Sequence, residues 1–313
     1  MENLSWLLDS DPCIRWQTLR DLTDASPEAI ASARARVPRE GLGAEILAAQ
    51  ESDGSWRCAN APVWLSTLFT FLLLRSTGAD HRDPAIDSAV GRLETSLRWN
   101  DLGGRWNLRP AELGGNPFFV GEVEPCINGG VLALGASFGR PNESLANRLV
   151  DEQLEDGGWN CEAPKSRRSS FHTTICVLEG LLEYERAGRG SEAVARARNR
   201  AENYLLDRGM FRSLRTGEIV NKRWLRFAYP PFWHYDVLRG LDYLRNAGVK
   251  PDHRVAGAIE VVIERRHQNG RWPLNLIHPE FIPLQMEASV GSASRWNTLR
   301  ALRVLRRAGS AGC

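Results

Sequence analysis

Apolar residues recur at helical spacing along much of the chain. In 83–99, Ile86, Val90, Leu93 and Leu97 follow one another at steps of four, three and four, which draws one stripe on a helix. In 251–267, Val255, Ile259, Val262 and Ile263 draw another. Pro84 and Pro251 suit a first helical turn, where the missing amide proton costs little. These segments predict amphipathic helices with one face in water. The run Leu65 to Leu74 is different, because it is apolar nearly all round, and such a helix is buried. Strand signals are nearly absent, and 223–232 reads as a loop.

The two kinds of helix alternate in a repeat. Arg15-Trp16-Gln17-Thr18-Leu19-Arg20 is echoed by Arg295-Trp296-Asn297-Thr298-Leu299-Arg300. Cys176-Val177-Leu178-Glu179-Gly180-Leu181 is echoed by Asp236-Val237-Leu238-Arg239-Gly240-Leu241, and segments beginning near Trp64 and Cys126 complete the series. Between them come Gly-rich turns that end on Trp56, Trp106, Trp159, the weaker Phe211, and Trp272, at intervals of about fifty to sixty residues. Gly permits the left-handed backbone that ends a helix, and the Trp is expected to plug the groove between units. Units of this size share a core with their neighbours. The expectation is therefore an all-α protein and a single domain over 1–313. It would be an α/α toroid of about six helical hairpins, with apolar helices inside and amphipathic helices outside. Residues 309–313 are expected to be a disordered tail.

Bulk properties narrow the partners. A formal charge of +2, with Lys and Arg scattered, argues against nucleic acid. The opening Met1-Glu2-Asn3 lacks a secretory signature, so the six cysteines are expected as free thiols in the cytoplasm. No apolar run reaches the ~20 residues of a membrane span, which leaves peripheral membrane contact open. Oligomeric state has no signal in the sequence.

The turns Gln50-Glu-Ser-Asp-Gly-Ser-Trp56, Gln153-Leu-Glu-Asp-Gly-Gly-Trp159 and Gln268-Asn-Gly-Arg-Trp272 resemble the QW repeats of squalene and oxidosqualene cyclases. Those enzymes share the α/α toroid with the β-subunits of protein prenyltransferases. The resemblance implies an enzyme acting on an apolar, isoprenoid substrate in a central cavity. The cyclases protonate their substrate with an Asp-x-Asp-Asp motif; this chain has none, and its nearest acidic clusters are Glu122-Val-Glu124 and Asp9-Ser-Asp11. The prenyltransferases bind zinc through an Asp-x-Cys pair and a His in a Tyr-His-Thr stretch. Here Glu124-Pro125-Cys126 and Phe171-His172-Thr173 stand at comparable helix starts, with Glu for Asp and a shorter gap.

Aligning the inner helices places one side chain of each at a common level. Arg15, Trp64, Asn128, His234 and Arg295 are candidates to line a cavity, with Gln17, Cys176, Asp236 and Asn297 two residues on. Glu124, Cys126 and His172, with Cys161 as a fourth donor, are candidate zinc ligands; the alternative is small buried thiols and a helix-capping His. Asp236, His234 and Glu124 are candidate acid–base groups, since an apolar cavity keeps a carboxyl protonated. The alternative for Asp236 is a fixed ion pair with Arg295 or Arg15. Trp16, Trp64, Trp233, Tyr235 and Trp296 are candidates to face an apolar or cationic substrate. Lys165-Ser-Arg167-Arg168 is either a solvated loop or a diphosphate contact. Three functions follow: a terpene cyclase-like or prenyltransferase-like enzyme, a non-catalytic module that binds a hydrophobic ligand or peptide, and a zinc-dependent hydrolase.

Overall fold

A computed structural model describes residues 2–59, 61–99, 115–278, 281–284, 286–287 and 289–309. Its α-helices are α1 Glu2–Leu8, α2 Pro12–Leu22, α3 Pro27–Ala35, α4 Gly41–Ala48, α5 Val63–Thr77, α6 Pro84–Ser96, α7 Pro125–Ser137, α8 Glu143–Asp151, α9 Phe171–Tyr184, α10 Glu192–Leu206, α11 Val237–Asn246, α12 Ala256–Glu264 and α13 Arg295–Arg307. Among the described residues, extended pairing is limited to isolated bridges, and the class is all-α, as the periodicity predicts. The turn that ends on Trp106 and the tail at 310–313 lie outside the described residues.

Local sequence sets the helix starts. Asp83 accepts from the Ala85 amide at 3.0 Å and Pro84 occupies the first turn of α6, as expected. Pro251 does not open a helix. Asp252 caps the Arg254 amide at 2.8 Å, a 3-10 turn follows over His253–Val255, and α12 begins only at Ala256. The capping carboxylate of Asp252 moves the start past the proline.

The described residues pack as two compact units. The first contains Met1–Arg34, Glu202–His278 and Met286–Cys313; the second contains Ala35–Ala201 and Pro279–Gln285. In the first unit the two ends of the chain lie together. The Arg271 and Arg295 guanidiniums stack on the Trp6 ring at 4.1 and 4.6 Å, and Arg271 donates to the Asn3 side chain. In the second unit α7 and α9 approach backbone to backbone. A Cβ at Gly129 would stand 2.5 Å from the Cys176 carbonyl oxygen, so only glycine fits there.

One hydrogen-bonding device recurs at three turns. The indole N–H of Trp56 donates to the Ile46 carbonyl at 2.7 Å, that of Trp159 to Leu149 at 2.6 Å, and that of Trp272 to Val262 at 2.7 Å. Each acceptor lies on the helix before the turn. The backbone amide of each Trp then donates to a threonine hydroxyl on the helix after it: Thr67 at 3.1 Å, Thr174 at 3.1 Å and Thr298 at 3.0 Å. All three tryptophans are fully buried. In the first two turns the glutamine amide adds a further tie, Gln50 to Ala89 and Gln153 to Ala197. The turn glycines Gly54, Gly157 and Gly270 have φ of 81°, 99° and 78°, the left-handed backbone the sequence predicts.

Replacing Thr174 by valine keeps the volume but strands the buried Trp159 amide. The expected cost is about 1–3 kcal/mol of unfolding free energy, read from urea denaturation; an unchanged midpoint would show that the staple carries no weight.

Candidate functional site

In the second unit, three of the four expected metal donors converge. Glu124 precedes α7 and makes no capping bond, so its carboxylate is left to accept from the Cys126 thiol at 3.5 Å. Cys161 lies two residues after Trp159, and its Sγ stands 2.9 Å from that of Cys126. The donor atoms of Glu124, Cys126 and Cys161 all lie within 4.8 Å of one another. The hydrogen bond from Cys161 and burial both push the Cys126 thiol well above its ordinary pKa.

Neighbouring residues hold this geometry. The Asn128 side chain is fully buried and bonds both backbone groups of Glu122, donating to the carbonyl at 2.9 Å and accepting from the amide at 2.7 Å. Arg148 donates to the carbonyls of Glu122 and Val123 at 2.6 and 2.9 Å. Glu122 accepts from the Glu124 amide at 2.7 Å through one carboxylate oxygen; the other is buried with no partner, and burial pushes this carboxyl up. The segment that carries Glu124 is therefore fixed from three sides.

His172 does not belong to the group. Its neighbour Thr173 faces the cluster instead, with its hydroxyl 3.4 Å from the Cys161 sulfur. The loop after Cys161 carries exposed Lys165, Arg167 and Arg168, and Asn160 holds it by donating to the Arg168 carbonyl at 2.7 Å.

The remaining candidates occupy other settings. In the first unit, Arg15 is exposed and donates to the Leu8 carbonyl at 2.8 Å, while Arg295 donates to that of Asp9 at 2.7 Å. Trp16 is buried, with the guanidiniums of Arg20 and Arg34 over its ring at 4.6 and 5.3 Å. Trp296 stacks on Tyr229 with centroids 4.4 Å apart, and the Tyr235 hydroxyl donates to the Met210 carbonyl at 2.6 Å. His234 stacks on His278 at 3.7 Å, with the Trp233 ring 5.1 Å away. In the second unit Trp64 is buried, and its indole nitrogen has no hydrogen-bond partner.

Asp236 caps α11, accepting from the Arg239 amide at 2.7 Å. Its ionic neighbour is neither Arg295 nor Arg15 but Arg300, at 3.8 Å. Burial outweighs Arg300 and pushes this carboxyl above its ordinary value. Arg300 also reaches Asp242, which Arg303 holds through both carboxylate oxygens, at 2.7 Å for the longer bond. Arg303 continues to Asp21 at 3.4 Å and to Gln17 at 3.2 Å, and Arg245 stands 3.2 Å from Asp242. The sequence reading missed this network. Its signal is Asp242, Arg300 and Arg303 on two helices that otherwise carry many apolar residues.

Burial raises the Asp242 carboxyl, but Arg303 and Arg245 outweigh it and hold the group below its ordinary value; Asp21 is held down likewise by Arg20 and Arg303. A carboxyl depressed in the fold adds stability above its unfolded pKa of about 3.9, and that stability is lost as pH falls through the lower folded value. Asp242→Asn leaves the buried Arg303 charge without its main partner, so a loss of about 3–5 kcal/mol is expected at neutral pH. In urea titrations the gap from wild type narrows below about pH 4, and a gap that widened in acid would refute the assignment.

No protein-family model matches the sequence, and no curated protein matches it. Among solved structures, the type II terpene cyclase MstE from Scytonema, in its apo form, is similar with a TM-score of 0.46 and 17% sequence identity, covering 96% of this chain and 87% of that chain.

Proposed function

We propose that this chain is a prenyltransferase-like enzyme of isoprenoid chemistry, with a zinc ion held by Glu124, Cys126 and Cys161. The observation that carries the reading is the convergence of two thiols and a carboxylate within 4.8 Å. Tetrahedral zinc sets sulfurs bound at about 2.3 Å roughly 3.8 Å apart, so the pair at 2.9 Å must open by about 1 Å. Three protein donors leave one position for a substrate, the pattern of a catalytic site. Zinc bound there would supply Lewis acidity and hold a substrate thiol as thiolate.

The donor charges separate the alternatives. Two thiolates and a carboxylate bring three negative charges against two on the ion. That excess weakens the pull on a bound water and suits a soft thiol donor, which favours thiol alkylation over the hydrolase reading. In such a transfer the thiol loses its proton, its sulfur bonds the allylic carbon, and diphosphate leaves with the electron pair of the broken C–O bond. Lys165, Arg167 and Arg168, on the loop that carries Cys161, suit the departing diphosphate. Asn128 and Arg148 orient the Glu124 segment, and Thr173 fixes the Cys161 sulfur.

The raised carboxyl of Asp236 favours a second reading, acid-driven cyclisation of an apolar polyene. Against it, one Asp236 oxygen is already committed to the Arg239 amide and Arg300 stands beside the group.

Elemental analysis of the purified chain is expected to find about one zinc per molecule, lost from Cys126→Ala and from Cys161→Ala. Farnesyl diphosphate with a small thiol is expected to give the thioether by mass spectrometry, and chelation is expected to abolish it. Zinc retained by both variants, or never bound, would overturn the metal reading. Cyclisation of a polyene that survives chelation but is lost in Asp236→Asn would replace it with the acid reading.

A further inference from the structure

We infer that the turn spanning 212–226 is a docking element for an anionic lipid surface. Arg212, Arg215, Lys222, Arg223 and Arg226 face a single acid, Glu218, so this short stretch carries a formal +4 in a chain whose total is only +2. The remainder of the protein is therefore net negative, at −2. All five cations are exposed. Among the described residues, the side chains of Arg215, Lys222 and Arg223 make no ion pair or hydrogen bond.

Two of the most exposed large apolar side chains sit among these charges. Leu214 is 61% exposed and Val220 50%. Isolated surface aliphatics are ordinary, but two on one turn that also carries Arg215, Lys222 and Arg223 give it an amphipathic character. The turn is built to hold them out. Ser213 and Val220 donate backbone bonds to Glu218 and Phe211 at 2.9 and 3.0 Å, Gly217 donates to Ser213 at 2.8 Å, and Arg212 pairs with Ile219 in an isolated bridge. Phe211 and Trp224, buried on either side, root the turn in the first unit.

Lipid fits this surface better than nucleic acid does. Single strands are held by exposed aromatic platforms, whereas the aromatic rings of this segment are buried and its exposed apolar groups are aliphatic. Aliphatic tips enter the boundary between headgroups and acyl chains, while each nearby cation strengthens attachment to an anionic bilayer by about fivefold. Two aliphatic side chains are too small an apolar area for a stable protein interface.

The test is sedimentation of the full chain with vesicles of phosphatidylcholine, and with vesicles in which about one-third is phosphatidylserine. Binding to the anionic vesicles is expected to be at least about tenfold tighter and to fall with added salt. Leu214→Ser with Val220→Ser, and separately Arg215→Glu with Arg223→Glu, are each expected to weaken it by about fivefold or more, with the thermal midpoint unchanged because the four positions are exposed. The inference is overturned if the wild-type chain ignores anionic vesicles or if both double variants bind them like wild type. Tighter binding to single-stranded RNA than to the vesicles, or a dimer that Leu214→Ser with Val220→Ser dissolves, would overturn it too.

Discussion

The hydrogen bond from the Trp159 indole to the Leu149 carbonyl, paired with the one from its amide to Thr174, ties three consecutive pieces of chain into one geometry. The helix before the turn, the turn, and the helix after it cannot shift independently while both bonds stand. The same pair of bonds recurs at Trp56 and Trp272. Because the ring and its polar atoms are buried, breaking either bond leaves an unsatisfied group away from water, and the geometry is enforced.

That constraint reaches the candidate site. Cys161 follows Trp159 by two residues, and Thr173 precedes Thr174, so both ends of one staple deliver groups to the same place. The opposing wall comes from α7. Glycines let α7 and α9 touch backbone to backbone, and Asn128 clamps the segment that carries Glu124. The cluster is thus a product of packing between one helix start and the turn that Trp159 holds.

The turns, the buried run of α5 and the capped start of α6 were legible in the sequence because glycine, tryptophan, proline and apolar spacing act locally. Glu124 and Cys126 were legible as donors because they sit at a helix start, and Cys161 because it follows a Gly-Gly-Trp turn. His172 shows the limit: it is not in the group of donors within 4.8 Å, and the adjacent Thr173 meets Cys161. Arg15 and Arg295 show another, since alignment offered them as cavity lining but not as donors to backbone carbonyls of the first residues of the chain. The Asp242–Arg303 network was hidden because a charge on an inner helix looks the same in sequence whether it meets a cavity or a partner on another helix.

Zinc-edge X-ray absorption of the metal-loaded full chain tests most directly whether the staple-built cluster is a metal centre. The expected first shell has two sulfurs at about 2.3 Å and lighter donors at about 2.0–2.2 Å. A shell made only of nitrogen and oxygen would contradict it, because no ion held by Cys126 and Cys161 could lack sulfur.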